Sequence, residues 1–153
     1  MTVGAASAFR LEPLAAAQVD DLVVVEKESF PSPWTRRQIL SELDKDYARF
    51  ESAVHSETGN AVGYCGYWKV ESEAQLANLA VHPAWRRRGV GRRLLESAMA
   101  DARRRGCDRM TLEVRAGAVA ALSLYRSLGF RPTGERPRYY EGREAAVLME
   151  TRL

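Results

Sequence analysis

A chain of 153 residues that is 46% hydrophobic and 28% charged has the makeup and length of one folded domain, and it excludes disordered and collagen-like classes. No run approaches the roughly 20 apolar residues of a bilayer span. Residues 1–10 lack the basic and apolar regions of a secretory leader, so the expectation is a cytoplasmic protein with no membrane partner.

The formal charge is +3, and the basic excess gathers in Arg86, Arg87, Arg88, Arg92 and Arg93, with a second cluster at Arg103, Arg104 and Arg105. Such clustering suggests a polyanion on one face, either nucleotide phosphates or nucleic acid. Cys65 and Cys107 are the only cysteines and His55 and His82 the only histidines. Without a Cys-x-x-Cys or Cys/His spacing, the thiols read as small buried apolar groups, and no metal site is expected.

In chain order, residues 9–11 read as a short edge strand. Residues 14–29 carry Leu14, Val19, Leu22, Val23 and Val25 at helical spacing, and Pro31 and Pro33 stop them. Thr35 is a candidate N-cap for a second helix holding Ile39, Leu40 and Leu43, with Trp34 at its entry. Residues 50–55 and 61–70, around a Glu57-Thr58-Gly59-Asn60 turn, predict a hairpin. Residues 73–81 are largely apolar on both faces, as a central strand would be.

Residues 91–105 place Leu94, Leu95, Ala98, Met99 and Ala102 on one helical face, and Gly106 ends that helix. A strand follows at 109–114 and a short helix at 119–128, closed by Gly129. Residues 131–140 and 145–153 form a last hairpin around Glu141-Gly142. No linker, repeat or low-complexity tract interrupts residues 1–153, which predicts a single domain.

The most informative stretch runs from Asn78 to Arg93: strand, Arg/Gly loop, helix. Gly89 and Gly91 let backbone N–H groups converge at a helix start, where unpaired donors and the helix dipole favour an anion. A solvated basic turn would have the same composition. The loop's place after a central strand favours ligand binding. It lacks the Gly-Lys-Ser/Thr of a P-loop, and Leu94 stands where a dinucleotide fingerprint needs its last glycine.

Arg86-x-x-Gly89-x-Gly91 resembles the pyrophosphate loop of the GNAT acetyltransferases. Leu124-Tyr125-x-x-x-Gly129-Phe130 is similar to a second family segment. With Phe30-Pro31-Ser32-Pro33-Trp34 and the Tyr139-Tyr140 to Glu144 tail, the chain looks like the ribosomal-protein alanine acetyltransferases, the RimI type. The similarity extends over nearly the whole chain.

That resemblance implies an α/β (α+β) GNAT fold: a mixed, mostly antiparallel sheet of about six to seven strands flanked by about four helices. It implies acetyl-CoA as cosubstrate and no metal, and as acceptor the N-terminal alanine of a protein, a small-subunit ribosomal protein in particular. Backbone groups of Leu79, Ala80 and Val81 would meet the pantetheine arm and the thioester carbonyl. Arg87, Arg88, Gly89, Val90, Gly91 and Arg92 would hold the pyrophosphate. Glu113 would be the general base and Tyr125 the proton donor to the thiolate, with Trp34, Tyr139 and Tyr140 around the acceptor.

The chemistry asks for the same residue types. Acyl transfer to an amine needs a proton removed, an oxyanion stabilised and a thiolate protonated. No serine–histidine or cysteine–histidine nucleophile is evident, so direct attack by the amine is the simpler route. Read without the resemblance, Glu113 could be a structural carboxylate paired with Arg115 or another arginine, and Tyr125 could be packing against Phe130. Ala118 departs from the asparagine usual in the family, and the Tyr140–Gly142 loop is shorter than in several relatives. The alternatives are a GNAT enzyme acting on lysine side chains or small amines, and a non-catalytic acyl-CoA-binding module. Direct nucleic-acid binding is not expected, because the loop accounts for the first arginine cluster.

Overall fold

The computed structural model describes residues 8–153. Its strands are β1 (Phe9–Pro13), β2 (Ala48–His55), β3 (Ala61–Val70), β4 (Glu73–Val81), β5 (Arg109–Arg115), β6 (Arg131–Tyr140) and β7 (Glu144–Arg152). Its α-helices are α1 (Val19–Ser29), α2 (Arg36–Glu42), α3 (Val90–Arg104) and α4 (Val119–Ser127). The strands form one seven-stranded sheet in the order β1-β2-β3-β4-β5-β7-β6. Pairing is antiparallel for β1/β2, β2/β3, β5/β7 and β6/β7 and parallel for β4/β5, the mixed sheet expected from the sequence.

The described residues pack as two compact units, one of residues 8–68 with 77–98 and the other of residues 69–76 with 99–153. In the first, Leu14, Val19, Leu22, Val25, Ile39, Ala61, Tyr64 and Ala80 form the core. Each aliphatic side chain buried there contributes about 1.5–3 kcal/mol. Gly66 lies under the Phe50 ring, where an added Cβ would come within 2.1 Å of the ring, so only glycine fits beneath it. Phe50 in turn stacks on Tyr64 and meets Trp34, with ring centroids 6.0 and 6.2 Å away.

The first helix starts later than the apolar pattern suggests. Leu14 donates its N–H to the Phe50 carbonyl (3.1 Å), and Ala16–Gln18 form a separate 3-10 turn. The Gln18 side chain accepts from Ala15 N–H (3.0 Å) and donates to Glu12 (2.7 Å). These local bonds compete with helix and win.

In the second unit, β5 alternates: Met110, Leu112 and Val114 are buried, while Thr111, Glu113 and Arg115 take the opposite face. The outer strand β6 carries Pro132 and Pro137, which an edge tolerates because a missing N–H costs no ladder bond there. The parallel register joins Glu73–Gln75 to Arg109–Thr111. No described helix is long and apolar enough to cross a membrane.

Glu73 secures that register by accepting from Thr111 Oγ1 (2.9 Å), Arg109 Nη2 (2.8 Å) and Gln75 Nε2 (3.1 Å). Partial burial raises its pKa, but these hydrogen bonds and the Arg109 charge outweigh burial and hold it below the ordinary carboxylate value. A depressed folded-state pKa gives stability that is complete above the unfolded value and lost as pH falls through the folded one. Glu73→Gln is therefore expected to lower stability by about 1–2 kcal/mol at neutral pH. In urea melts at descending pH, the gap between the two proteins should close below the ordinary carboxylate range.

Candidate functional site

Trp34 is held from both sides. Thr35 caps α2 in a reciprocal box, its Oγ1 accepting from Gln38 N–H (3.2 Å) and its own N–H donating to Gln38 Oε1 (2.8 Å). Just before the cap, Trp34 N–H donates to Glu26 Oε1 (2.7 Å). The Trp34 ring is half-buried against Phe50 rather than set out in solvent.

Leu79 to Val81 close β4, and Ala80 is buried in the core. The Leu79 N–H donates to Asn78 Oδ1 (2.9 Å), and Asn78 Nδ2 donates to Glu26 Oε2 (2.8 Å) and to the Tyr64 hydroxyl (2.9 Å). Tyr64 donates to Glu26 Oε2 (2.8 Å). Burial pushes the Glu26 carboxyl up from its ordinary value, against the downward pull of Trp34, Tyr64 and Asn78. Trp34 and Leu79, picked out separately in the sequence, are thus joined by a polar network that sequence reasoning missed. One sign was available: Glu26 lies four residues after Leu22 and one after Val25, on the apolar stripe of α1.

Past β4, His82 Nδ1 accepts from Ala84 N–H (3.1 Å) and caps the turn at Pro83–Trp85. His55 Nδ1 accepts from Glu57 and Thr58 N–H (3.1 and 3.2 Å). Both imidazoles therefore serve turns. Arg87 and Gly89 have φ of 62° and 79°, so the backbone twice enters the left-handed region within three residues. Open space lies over the Gly89 Cα, with no atom within 4 Å of an added Cβ.

The α3 ladder begins with Arg93 N–H donating to the Gly89 carbonyl (3.0 Å), so Val90, Gly91 and Arg92 N–H precede it. Left-handed turns running into a helix start form a concave set of donors suited to an anion. The guanidinium of Arg88 lies 4.8 Å from the Trp85 ring and that of Arg93 4.6 Å from Phe9. Backbone amides, more than free-swinging arginines, are the defining feature of the loop.

In the second unit, Glu113 has a one-third exposed side chain and pairs with Arg136 Nη2 (3.4 Å). Tyr139 hydrogen-bonds to Glu113, which raises the Tyr139 pKa. Tyr139 and Tyr140 meet edge to face at 5.0 Å. Glu113, Tyr139 and Tyr140 are thus brought together.

Arg115 is engaged elsewhere. It grips Glu141 with both terminal nitrogens (2.7 Å each), reaches Glu144 (3.3 Å) and covers the Tyr140 ring at 4.3 Å. Tyr125, on α4, is buried and meets Phe130 edge-on at 5.7 Å. Ala118 occupies the N-cap of α4 without a side-chain cap, a position where asparagine would supply one at about 1 kcal/mol. Among the described residues, no cluster of three or more His, Cys, Asp or Glu side chains is placed to hold a metal ion.

The model of the acetyltransferase (GNAT) family matches residues 19–130. The chain is 35% identical over 128 residues to the [ribosomal protein bS18]-alanine N-acetyltransferase of Escherichia coli strain K12, covering 82% of this chain and 84% of that one. It is similar to the crystal structure of the ribosomal-protein-S18-alanine N-acetyltransferase from Escherichia coli, with TM-score 0.84, 30% identity, and 94% and 93% of the two chains covered. Ard1 from Thermoplasma volcanium, at 24% identity and TM-score 0.87 over 95% of this chain and 98% of its own, shares the fold.

The grip of Arg115 on the β6–β7 turn predicts that Arg115→Ala will speed amide hydrogen exchange at residues 141–144 by about tenfold or more. Amides in β3 should exchange as before.

Proposed function

The chain belongs to the acetyltransferase (GNAT) family, whose members use acetyl-CoA, and from that premise we propose that it acetylates the α-amine of an N-terminal alanine on a ribosomal protein of the bS18 type, in the cytoplasm. The whole chain is read as one GNAT domain. The observation that carries this reading is the accessible Glu113 carboxylate, tied to Tyr139 beside Tyr140. The likeness to the Escherichia coli enzyme supports the choice of acceptor.

The residues present suit the cosubstrate. Gly89 leaves open space over a turn that leads straight into the first N–H groups of α3, so a diphosphate can approach the backbone from Arg87 to Arg92. Arginines on the same turn add positive charge. Leu79, Ala80 and Val81 supply strand backbone for the pantetheine arm and donors for the thioester carbonyl. Bound acetyl-CoA supplies an acetyl group already activated as a thioester.

The protein's part is then proton handling and placement. Glu113, directly or through one water, takes the proton from the incoming ammonium and frees its lone pair. As the new N–C bond forms, strand N–H groups stabilise the charge developing on the carbonyl oxygen. As the C–S bond breaks, the Tyr125 hydroxyl delivers a proton to sulfur, and the second proton lost by the acylated nitrogen restores that hydroxyl. The half-buried Trp34 and the Tyr139-Tyr140 pair present aromatic surface to an extended peptide.

An α-amine has a reference pKa of about 7.7–8.0 and lysine about 10.4, so near neutral pH their free-base fractions differ by more than a hundredfold. A peptide beginning with free alanine should therefore be acetylated well ahead of the same peptide blocked at its N-terminus and offering only lysine. Mass spectrometry that found acetyl on lysine with the free alanine untouched would assign the chain to a lysine acceptor instead.

Tyr125→Phe should bind coenzyme A as the parent does and lose turnover by about 10² to 10⁴-fold, the usual range for a general acid. Glu113→Gln should be slowest relative to the parent at low pH, where more of the amine is protonated. Parental rates in both variants would return Glu113 and Tyr125 to purely structural duty.

A further inference from the structure

Glu26 is a fully buried carboxylate with no part in the proton transfers above. It stands on the face of α1 that also buries Val19, Leu22 and Val25. Stability alone gives little reason for it, since a well-packed apolar residue at a buried charged position is commonly neutral or stabilising.

Its surroundings present it with donors on both oxygens. Trp34 N–H and Asn78 Nδ2 can only donate, and Tyr64, which already accepts from Asn78, donates its proton to Glu26. Donors on both oxygens favour the ionised, acceptor form, against burial, which pushes the carboxyl up. The same charge settles the Asn78 amide. Turned over, that amide would point its oxygen at Glu26, so its NH₂ must face the carboxylate and its oxygen must face Leu79 N–H, as observed.

We infer that Glu26 is a positioning residue for acetyl transfer: one buried carboxylate holds the Trp34 end of the α1–α2 loop and, through the Asn78 amide, the Leu79 peptide group of β4. Loop and strand are thereby set as one unit. The inference rests on the proposed roles of Trp34 at the acceptor and of Leu79 at the pantetheine arm.

The test compares Glu26→Gln with Tyr64→Phe, using a free-alanine peptide well below either melting temperature. Glu26→Gln removes the charge that orients both partners. Tyr64→Phe deletes the hydroxyl's bonds to Glu26 and from Asn78 but leaves the direct Trp34 and Asn78 links to Glu26. Glu26→Gln is expected to lower kcat/KM by about tenfold to a hundredfold, the scale of small misplacements in a site, with Tyr64→Phe within about threefold of the parent. In ¹H–¹⁵N spectra of Glu26→Gln, the amides of both Trp34 and Leu79 should shift, while those of residues 110–114 in β5 should not.

Parental kcat and KM in Glu26→Gln, or an equal loss in Tyr64→Phe, would overturn the inference, since either marks Glu26 as ordinary core. Should Glu26→Gln fail to fold, Asn78→Ala tests the network from its other end, and an unmoved Trp34 amide there would overturn it. A parent inactive on the peptide would count against the proposed acceptor, whereas the amide shifts report on the Glu26 network independently.

Discussion

Burying an ionised carboxylate costs several kcal/mol unless its lone pairs are met by well-placed donors. At Glu26 they are met by a loop amide, a tyrosine hydroxyl and an asparagine side chain. Each donor comes from a different element: the loop before α2, strand β3 and strand β4. The charge therefore constrains three pieces of chain in a way that apolar packing, which is tolerant of small slides, does not. The aromatic stack of Trp34, Phe50 and Tyr64 fills the space around it.

The second unit works with more exposed charges. Glu113 pairs with Arg136 and Tyr139 at the edge of solvent, whereas Glu26 is fully buried. Arg115 is bound by Glu141 and Glu144, which hold its guanidinium firmly protonated, so it serves the turn beside Tyr140 and leaves Glu113 to Arg136. Two carboxylates of one chain thus sit in different surroundings, set by burial and partners.

Period and punctuation made much of this legible in the sequence. Glu73–Val81, largely apolar on both faces, lies fourth of seven strands, and Thr35 is the helix cap expected of it. The left-handed φ at Gly89 agrees with a glycine needed in the loop. What escaped were partnerships across long sequence distance. The Asn78 side chain meets Glu26 from 52 residues away, and Arg115 meets Glu141 from 26, and periodicity carries no signal for such pairs. The delayed start of α1 escaped because Leu14 has the right spacing for a helix yet spends its N–H on Phe50.

Ala118, a departure from the family pattern, has a consequence for local structure. It leaves α4, the helix that carries Tyr125, without a side-chain cap. The proposed roles of Glu113 as proton acceptor and Tyr125 as proton donor imply transfer in a single complex of both substrates. Initial rates with acetyl-CoA and a free-alanine peptide varied together test this most directly, alongside the intact mass of enzyme incubated with acetyl-CoA alone. Direct transfer gives intersecting double-reciprocal lines and an unmodified protein; parallel lines with an acetylated enzyme would contradict it.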